Sequence, residues 1–333
     1  MSIRSSRVAN RATLRRLIAL SVLSVSALLT TPAQSAPRVA ADIPPVHSLV
    51  AQVMEGVGEP ELVIQRGASP HDYALRPSEA AALEQADIVF WTSAELTPWL
   101  DRSLQTLAAD VTQIQLIESR GTTRYAFREA FLDTQASGHD HGHEQELDTH
   151  KSTGDHDHAH DSIDPHAWLD PVNAQNWLGV IAETLAKADP ENAATYRGNA
   201  QAGDEALNTL MDDIRGDLQP VSDEAFIVFH DAYQYFERRF EVTALGSIAL
   251  SDASDPSAAR IAEIREVVRA NDVRCVFAEP QFNPDLVETV LDGTQAETGV
   301  LDPLGSDIPS GLDFYPALIE KLSSNLVGCL GSG

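Results

Sequence analysis

The sequence predicts an α/β protein of two domains, each with a mostly parallel sheet flanked by helices, joined by one long rigid helix. Its 333 residues are enough for two hydrophobic cores. Short apolar runs of strand length alternate with helix-like segments in both halves, as in parallel βαβ units. Between the halves, apolar or small residues recur at steps of three and four over residues 193–218, which predicts a helix roughly 40 Å long.

The first 35 residues have the composition of a secretory signal peptide. Five arginines and no acidic residue lie in 1–16, an apolar run follows over 17–29, and Ala33 and Ser35 are small residues that suit cleavage after Ser35. The apolar run is too short for a comfortable membrane span, and no cysteine lies near it to carry a lipid. We therefore expect the mature protein to be soluble and exported to the periplasm.

The first domain, over residues 36–188, is expected to alternate strands and helices. The expected elements are a strand over 42–51, a strand over 62–65, a helix with Ser78 as its N-cap, a strand over 87–92, a helix over 98–108, a strand near 113–117 and a helix over 172–188. The continuous apolar run over 87–92 is typical of a parallel strand covered on both faces. His47 lies inside the first of these strands, so we treat it as structural.

A His-rich stretch over residues 137–162 interrupts this domain. It holds seven of the eleven histidines: His139, His141, His143, His150, His156, His158 and His160. Because carboxylates interleave with them and apolar residues are few, we expect a disordered, mobile surface loop. Imidazoles at such short spacing are typical of metal capture, and neutral imidazole suits zinc, copper and nickel. The alternative is a solvated polar loop whose histidines have no particular role.

The long helix is expected over 189–218, starting at Asp189 and Pro190, and the second domain over 219–333. The elements expected there are strands over 225–229, 242–250, 273–278 and 298–301, with helices over 231–240, 254–270 and 316–330 and another from Pro284. The two cysteines of the chain, Cys275 and Cys329, both lie in this domain. An even number of cysteines in an exported chain favours a disulfide over a thiolate metal site.

Side chains that bind metals stand at, or just past, the ends of several predicted strands or before a helix. They are His71, His166, His230, Glu279 and Asp302. Ligands of open α/β sheets bind beyond the carboxyl ends of the strands, and three imidazoles with one carboxylate or water make a four-coordinate zinc set. We therefore predict a metal site between the domains. A lone histidine is more often a hydrogen-bonded structural residue, but three at matching positions weaken that alternative.

Carboxylates close to these histidines are expected to accept hydrogen bonds from their ring N–H groups. Asp72 and Asp231 each directly follow a histidine, and Glu279 stands at the end of a strand in the second domain. Such acceptors fix the orientation of a ligating imidazole. We expect Asp72, Asp231 and Glu279 to support the metal ligands in this way.

Charge and motif content exclude several other classes of function. The net charge of −27 argues against nucleic acid or an anionic membrane as a partner and favours the attraction of cations. A zinc hydrolase needs an open coordination position and a general base, but the H-E-x-x-H motif is missing because Leu147 stands where its second histidine would follow His143 and Glu144. We therefore do not expect an enzyme.

Four segments resemble, in order and spacing, the zinc-binding solute receptors of bacterial ABC importers, the ZnuA-type family. They are GASPHDYALRPSEA, DPHAWLDP, FHDAYQYFERRF and AEPQFNP with the later GVLDPLG, and the resemblance runs from about Asp42 to the C-terminus. It implies two α/β domains joined by one long helix, with the metal held in the cleft. The metal ligands that it implies are His71, His166, His230 and, at a fourth position that water can take, Asp302. It also implies a disulfide between Cys275 and Cys329.

The resemblance also indicates the cargo and the partners. Manganese-type relatives have a carboxylate where this chain has His230, and the His-rich insertion fits the zinc branch, so Zn²⁺ is the expected transported ligand. Some zinc receptors have a glutamate where this chain has Pro70, so that ligand is missing. The expected partners of the monomeric receptor are a membrane permease with its ATPase and an auxiliary periplasmic zinc chaperone. Manganese as cargo and a periplasmic zinc buffer or chaperone are the alternatives.

Overall fold

The computed structural model describes residues 36–128, 163–249 and 256–332. Ala36–Gly333 form one compact unit, and the described part of it contains two four-stranded parallel sheets with helices packed around them. No helix in these three ranges is long and apolar enough to cross a bilayer. The predicted signal peptide and the His-rich stretch over 137–162 lie outside the described residues. The two-sheet α/β architecture agrees with the fold class predicted from the sequence.

The first sheet precedes the His-rich stretch. Its strands are β1 (Val39–Ala41), β2 (Glu61–Leu62), β3 (Ile88–Trp91) and β4 (Thr112–Gln115), in the order β2-β1-β3-β4. The helices of this half are α1 (Pro44–Met54), α2 (Pro77–Gln85) and α3 (Pro98–Leu107), and each has a proline in its first turn, where no N–H is needed. All four residues of β3 are buried, as predicted for a strand covered on both faces.

Two local predictions in this half are wrong. Residues 42–51 were expected to form a strand, but the strand ends at Ala41 and α1 begins at Pro44. Two consecutive prolines cannot donate hydrogen bonds to a sheet, whereas they fit the first turn of a helix. Ser78 is not an N-cap, because α2 begins one residue before it and Arg76 takes that position, with its N–H donated to Glu79 Oε2 (2.8 Å).

The second sheet consists of β5 (Phe226–Val228), β6 (Gly246–Ser247), β7 (Cys275–Ala278) and β8 (Glu297–Val300), in the order β6-β5-β7-β8. The remaining helices are α4 (Pro171–Ala188), α5 (Ala193–Leu218), α6 (Gln234–Phe240), α7 (Ala258–Ala270), α8 (Asp285–Leu291) and α9 (Phe314–Leu330). The strand predicted over 242–250 has only the two residues of β6. A disulfide joins Cys275 in β7 to Cys329 in α9, as predicted.

The long helix α5 has 26 residues and packs against α1, α4 and α9. It starts at Ala193, four residues after the predicted start at 189, because Asn192 rather than Asp189 precedes its first turn. Asp189 instead accepts a hydrogen bond from the hydroxyl of Tyr196 (2.9 Å). One continuous hydrophobic cluster includes buried residues of both halves, so α5 is part of a shared core as well as a connection.

Candidate metal centre

Three histidines from different parts of the chain come together at one end of the two sheets. His71 lies in the loop between β2 and α2, His166 directly precedes a short 3-10 turn before α4, and His230 is the second residue after β5. The ring centroids of His71 and His166 are 5.6 Å apart, and those of His166 and His230 are 5.3 Å apart. Two imidazoles that share a tetrahedral zinc ion, with Zn–N bonds of about 2.0–2.1 Å, have centroids about 5 Å apart.

A small cavity lies between these rings. Its volume is about 10 Å³, and its lining includes Trp168, Glu279 and Phe282 besides the three histidines. Such a volume holds about one water-sized particle. The size therefore suits a single ion and excludes an organic substrate from the cavity in this conformation.

Asp164 orients His166. Its Oδ1 lies 2.8 Å from His166 Nδ1 and also accepts the backbone N–H of His166 (3.0 Å). Asp164 is fully buried, so its carboxylate depends on these donors in place of water. Asp164 was not among the residues predicted from the sequence, although its position two residues before His166 in DPHAWLDP was the available signal.

Glu279 orients His230. Its Oε1 lies 2.7 Å from His230 Nδ1 and accepts the backbone N–H of the same residue (3.3 Å). The two residues meet because β5 and β7 are hydrogen-bonded parallel neighbours, and both residues follow the ends of these strands. This is the contact geometry expected of a supporting carboxylate.

The two carboxylates have the same chemical effect on their imidazoles. A ring that donates from Nδ1 to a carboxylate is held in the tautomer that presents Nε2 as the metal-binding nitrogen. His166 is 3% and His230 is 4% exposed, so both rings are presented from fixed, nearly dry positions. His71 is only partly buried, in a loop whose Pro70 carbonyl accepts a hydrogen bond from Trp99 Nε1 (2.7 Å).

Asp302 has a different environment from the histidines. Its Oδ1 accepts hydrogen bonds from the Leu304 N–H (3.0 Å) and from Gln281 Nε2 (2.9 Å), and its Oδ2 accepts the Ser306 N–H. Pro303 and Leu304 line the cavity. Asp302 therefore shapes the loop beside the cavity, and its role as a metal ligand stays a prediction.

Of the other two predicted supporting carboxylates, Asp231 contacts a different partner, and the support of His71 by Asp72 stays a prediction. Asp231 forms an ion pair with Arg128, whose guanidinium also reaches Glu237 (2.8 Å). Asp72 is exposed. The acceptors that contact the Nδ1 atoms of His166 and His230 are Asp164, two residues before His166, and Glu279, on the neighbouring strand's end.

Within the described residues, no group of three or more His, Cys, Asp or Glu side chains has the geometry of a complete metal site. The ring centroids of neighbouring imidazoles are nevertheless close enough for the rings to share one ion. The seven histidines of the His-rich stretch (His139, His141, His143, His150, His156, His158 and His160) lie outside the described residues.

Comparison with known proteins assigns the chain to a family. The family described as "Zinc-uptake complex component A periplasmic" (ZnuA) matches residues 39–329. The high-affinity zinc uptake system protein ZnuA of Brucella abortus is 45% identical over 314 residues, which cover 88% of this chain and 91% of that protein. The protein of the same name from Paracoccus denitrificans is 39% identical over 89% of this chain and 92% of its own length.

Solved structures agree in fold. The crystal structure of ZnuA superimposes with a TM-score of 0.69 at 23% identity, covering 87% of this chain and 99% of that one. The periplasmic zinc binding protein TroA of Treponema pallidum has a TM-score of 0.71 at 20% identity, covering 88% of this chain and 99% of its own. With the family match over nearly all of the described residues, the chain belongs to the ZnuA family of periplasmic zinc-uptake components.

Proposed function

We propose that this chain is the periplasmic receptor that captures Zn²⁺ and delivers it to the membrane permease and ATPase of an ABC importer. The observation that carries the proposal is the arrangement of the two buried imidazoles. His166 and His230 lie beside a cavity the size of one ion, and each is held by a buried carboxylate. A receptor needs ligands that are held in place in this way for tight binding. It binds and releases the ion without catalysing a reaction.

His71, His166 and His230 are the proposed protein ligands of the zinc ion. Water is the favoured fourth ligand, because both oxygens of Asp302 already accept hydrogen bonds that hold its own loop. Three imidazoles favour zinc over manganese, which prefers oxygen ligands. Trp168 and Phe282 add apolar walls that keep bulk water away from the ion.

The parts of the chain outside the described residues have proposed roles too. Residues 1–35 direct export and are removed. The stretch over 137–162 collects Zn²⁺ weakly. The receptor is proposed to act as a monomer, with an auxiliary periplasmic zinc chaperone as a further partner. The alternative to uptake is a zinc buffer, which would bind the ion without needing a permease.

Zinc titration calorimetry tests the site directly. The samples are the chain over 36–333, the same chain without 137–162, and His166→Ala in each background. One tight site should survive the deletion, while His166→Ala should weaken it by more than the roughly 10–100-fold that loss of a supporting acceptor costs. His47→Ala is the matched control. His47 lies in α1, outside the cavity, and its Nε2 contacts the Pro60 carbonyl oxygen (3.0 Å).

Loss of all tight binding on deletion of 137–162 would contradict the cleft site and favour the buffer. Zinc uptake by cells grown without added zinc separates the two functions independently. A chain carrying His166→Ala should fail to restore uptake to cells that lack the receptor, whereas His47→Ala should restore it. Normal uptake in the absence of the chain would refute the receptor function.

A further inference from the structure

The first residue of α6 makes a polar contact that crosses from the second half of the chain to the first. Gln234 is 2% exposed, and its Nε2 lies 3.0 Å from Asp164 Oδ2 and 3.1 Å from the carbonyl oxygen of Ala126. An amide nitrogen has two hydrogens, and both are directed at these acceptors. The side chain of Gln234 is therefore fixed by two hydrogen bonds to one region of the first half.

Asp164 lies between Gln234 and His166. Its Oδ2 accepts from Gln234, and its Oδ1 accepts from the backbone N–H of His166 and faces the ring Nδ1 at 2.8 Å. The amide and the imidazole thus hold one carboxylate from its two sides. Rotation of this carboxylate would break contacts on both sides at once.

The next residue of α6 holds the backbone at the same place. The Tyr235 hydroxyl donates to the Asp164 carbonyl oxygen (2.8 Å) and accepts the N–H of Tyr125 (3.0 Å). Two consecutive residues of one helix therefore fix the side chain and the main chain of Asp164. The same helix begins four residues after His230, so one short segment carries one histidine of the site and holds the carboxylate of another.

We propose that Gln234 is a positioning residue of the metal centre: by holding Asp164, it fixes the tautomer and orientation of His166 and couples that ring to the segment that carries His230. The inference rests on the proposed zinc site. Without the amide donor, the Oδ2 of a fully buried carboxylate loses its partner, which is costly for a buried charge. Asp164 would turn to find other donors, and its hold on His166 Nδ1 would weaken.

Gln234→Met removes the hydrogen-bond donor but keeps the volume of the side chain, because glutamine and methionine have similar length. It therefore tests the role of the donor separately from that of packing. Loss of a supporting acceptor typically costs 10–100-fold in metal affinity. Since Gln234 acts one contact further from the ion, we expect about a tenfold loss, at the lower end of that range. Zinc affinity is measured by calorimetry with a competing chelator, on the chain over 36–333.

A second measurement needs no metal. Long-range ¹H–¹⁵N spectra of histidine-labelled, zinc-free protein report which ring nitrogen carries the proton, and His166→Ala assigns the signal. In the wild type the His166 signal should be that of the Nδ1–H tautomer. Gln234→Met should raise the share of the Nε2–H tautomer, a change that lost packing alone does not produce.

Gln234→Glu keeps the length and a polar end but places an oxygen against Asp164 Oδ2. We expect it to weaken zinc binding more than Gln234→Met does, because two carboxylates would then face each other. This variant also carries the test if Gln234→Met is too unstable to titrate. Wild-type affinity in both variants would overturn the proposal.

Ser48→Ala is the structural control. Ser48 is buried, donates to the Leu312 carbonyl oxygen (3.0 Å) and accepts the Tyr315 N–H (3.0 Å), so it also links distant parts of the chain. This variant should lower the free energy of unfolding and leave zinc affinity unchanged. A tenfold loss of affinity in Ser48→Ala as well would show that any lost buried hydrogen bond has this effect, and would overturn a specific role for Gln234.

A double-mutant cycle with Asp164→Ala completes the test. If Gln234 acts through Asp164, Gln234→Met should change zinc affinity less than twofold once Asp164 is gone. A full tenfold further loss would contradict the proposed route. If the proposed zinc site is wrong, His166→Ala should bind zinc like the wild type. If His166→Ala weakens zinc binding but Gln234→Met keeps the wild-type affinity, only the positioning role of Gln234 is refuted.

Discussion

Glu279→Gln tests whether the carboxylate behind His230 contributes to zinc affinity. Glu279 is 4% exposed and Oε1 contacts His230 Nδ1 at 2.7 Å. Glutamine keeps an acceptor of the same size but removes the negative charge that stabilises a metal-bound imidazole. We expect about tenfold weaker zinc binding, which corresponds to about 1.4 kcal/mol, and about 100-fold for Glu279→Ala, which removes the acceptor as well.

The matched control for this prediction is Glu237→Gln. Glu237 is also 4% exposed, but its partner is the guanidinium of Arg128 (2.8 Å) and not an imidazole. Burial raises the pKa of Glu237 against the opposing effect of Arg128. This substitution should reduce the free energy of unfolding without changing zinc affinity in calorimetry. Equal affinities for Glu279→Gln and the wild type, within twofold, would refute the role given to Glu279.

Three further predictions concern stability and pH. Replacing Cys275 and Cys329 with alanine removes a cross-link between residues 54 apart in sequence and should cost about 4 kcal/mol in urea unfolding; a cost below about 1 kcal/mol would show that the bond does not constrain the unfolded chain. Zinc affinity should fall steeply below about pH 6, because protons compete for the imidazoles, so a flat profile in calorimetry from pH 7.5 to 5 would contradict a histidine site. Burial raises the pKa of Asp42 from 3.8 to about 6, so the folded state holds this proton more tightly than the unfolded state. The unfolding free energy of the wild type relative to Asp42→Asn should therefore fall by about 2 kcal/mol as pH rises from 4 to 6, and a rise over this window would refute the sign.

The alternation of strands and helices was predictable because it depends on local periodicity and on prolines at helix starts. The centre of the run over 87–92 is apolar at every position, and these four residues, Ile88–Trp91, form the fully buried strand β3. The run over 42–51 is mostly apolar, but its periodicity alone does not separate a buried strand from a buried helix. Pro44 and Pro45 favour a helix start over a strand, because neither residue has an N–H to donate to a sheet. These two prolines were the signal that predicts the helix.

The histidines of the site were predictable in position, while their contacts were not. Residues that follow neighbouring parallel strands meet at one edge of the sheet, and this rule predicted that His230 and Glu279 lie at the site. Asp164 follows no strand of the sheets, and its contact with His166 depends on a local turn of the chain. The ion pair of Asp231 with Arg128 joins residues 103 apart in sequence, which no local pattern reveals.

The packing of the two halves bears on how the ion leaves. Trp168 Nε1 in the first half donates to the Pro303 carbonyl oxygen (2.8 Å), and the Tyr315 hydroxyl donates to the Trp168 carbonyl oxygen (2.7 Å). Together with the shared core around α5, these contacts mean that a wide hinge opening would break buried packing and hydrogen bonds at once. We infer that release proceeds through local loop changes instead. His71 is the least buried of the three histidines and lies on a loop, so its departure disturbs the least structure.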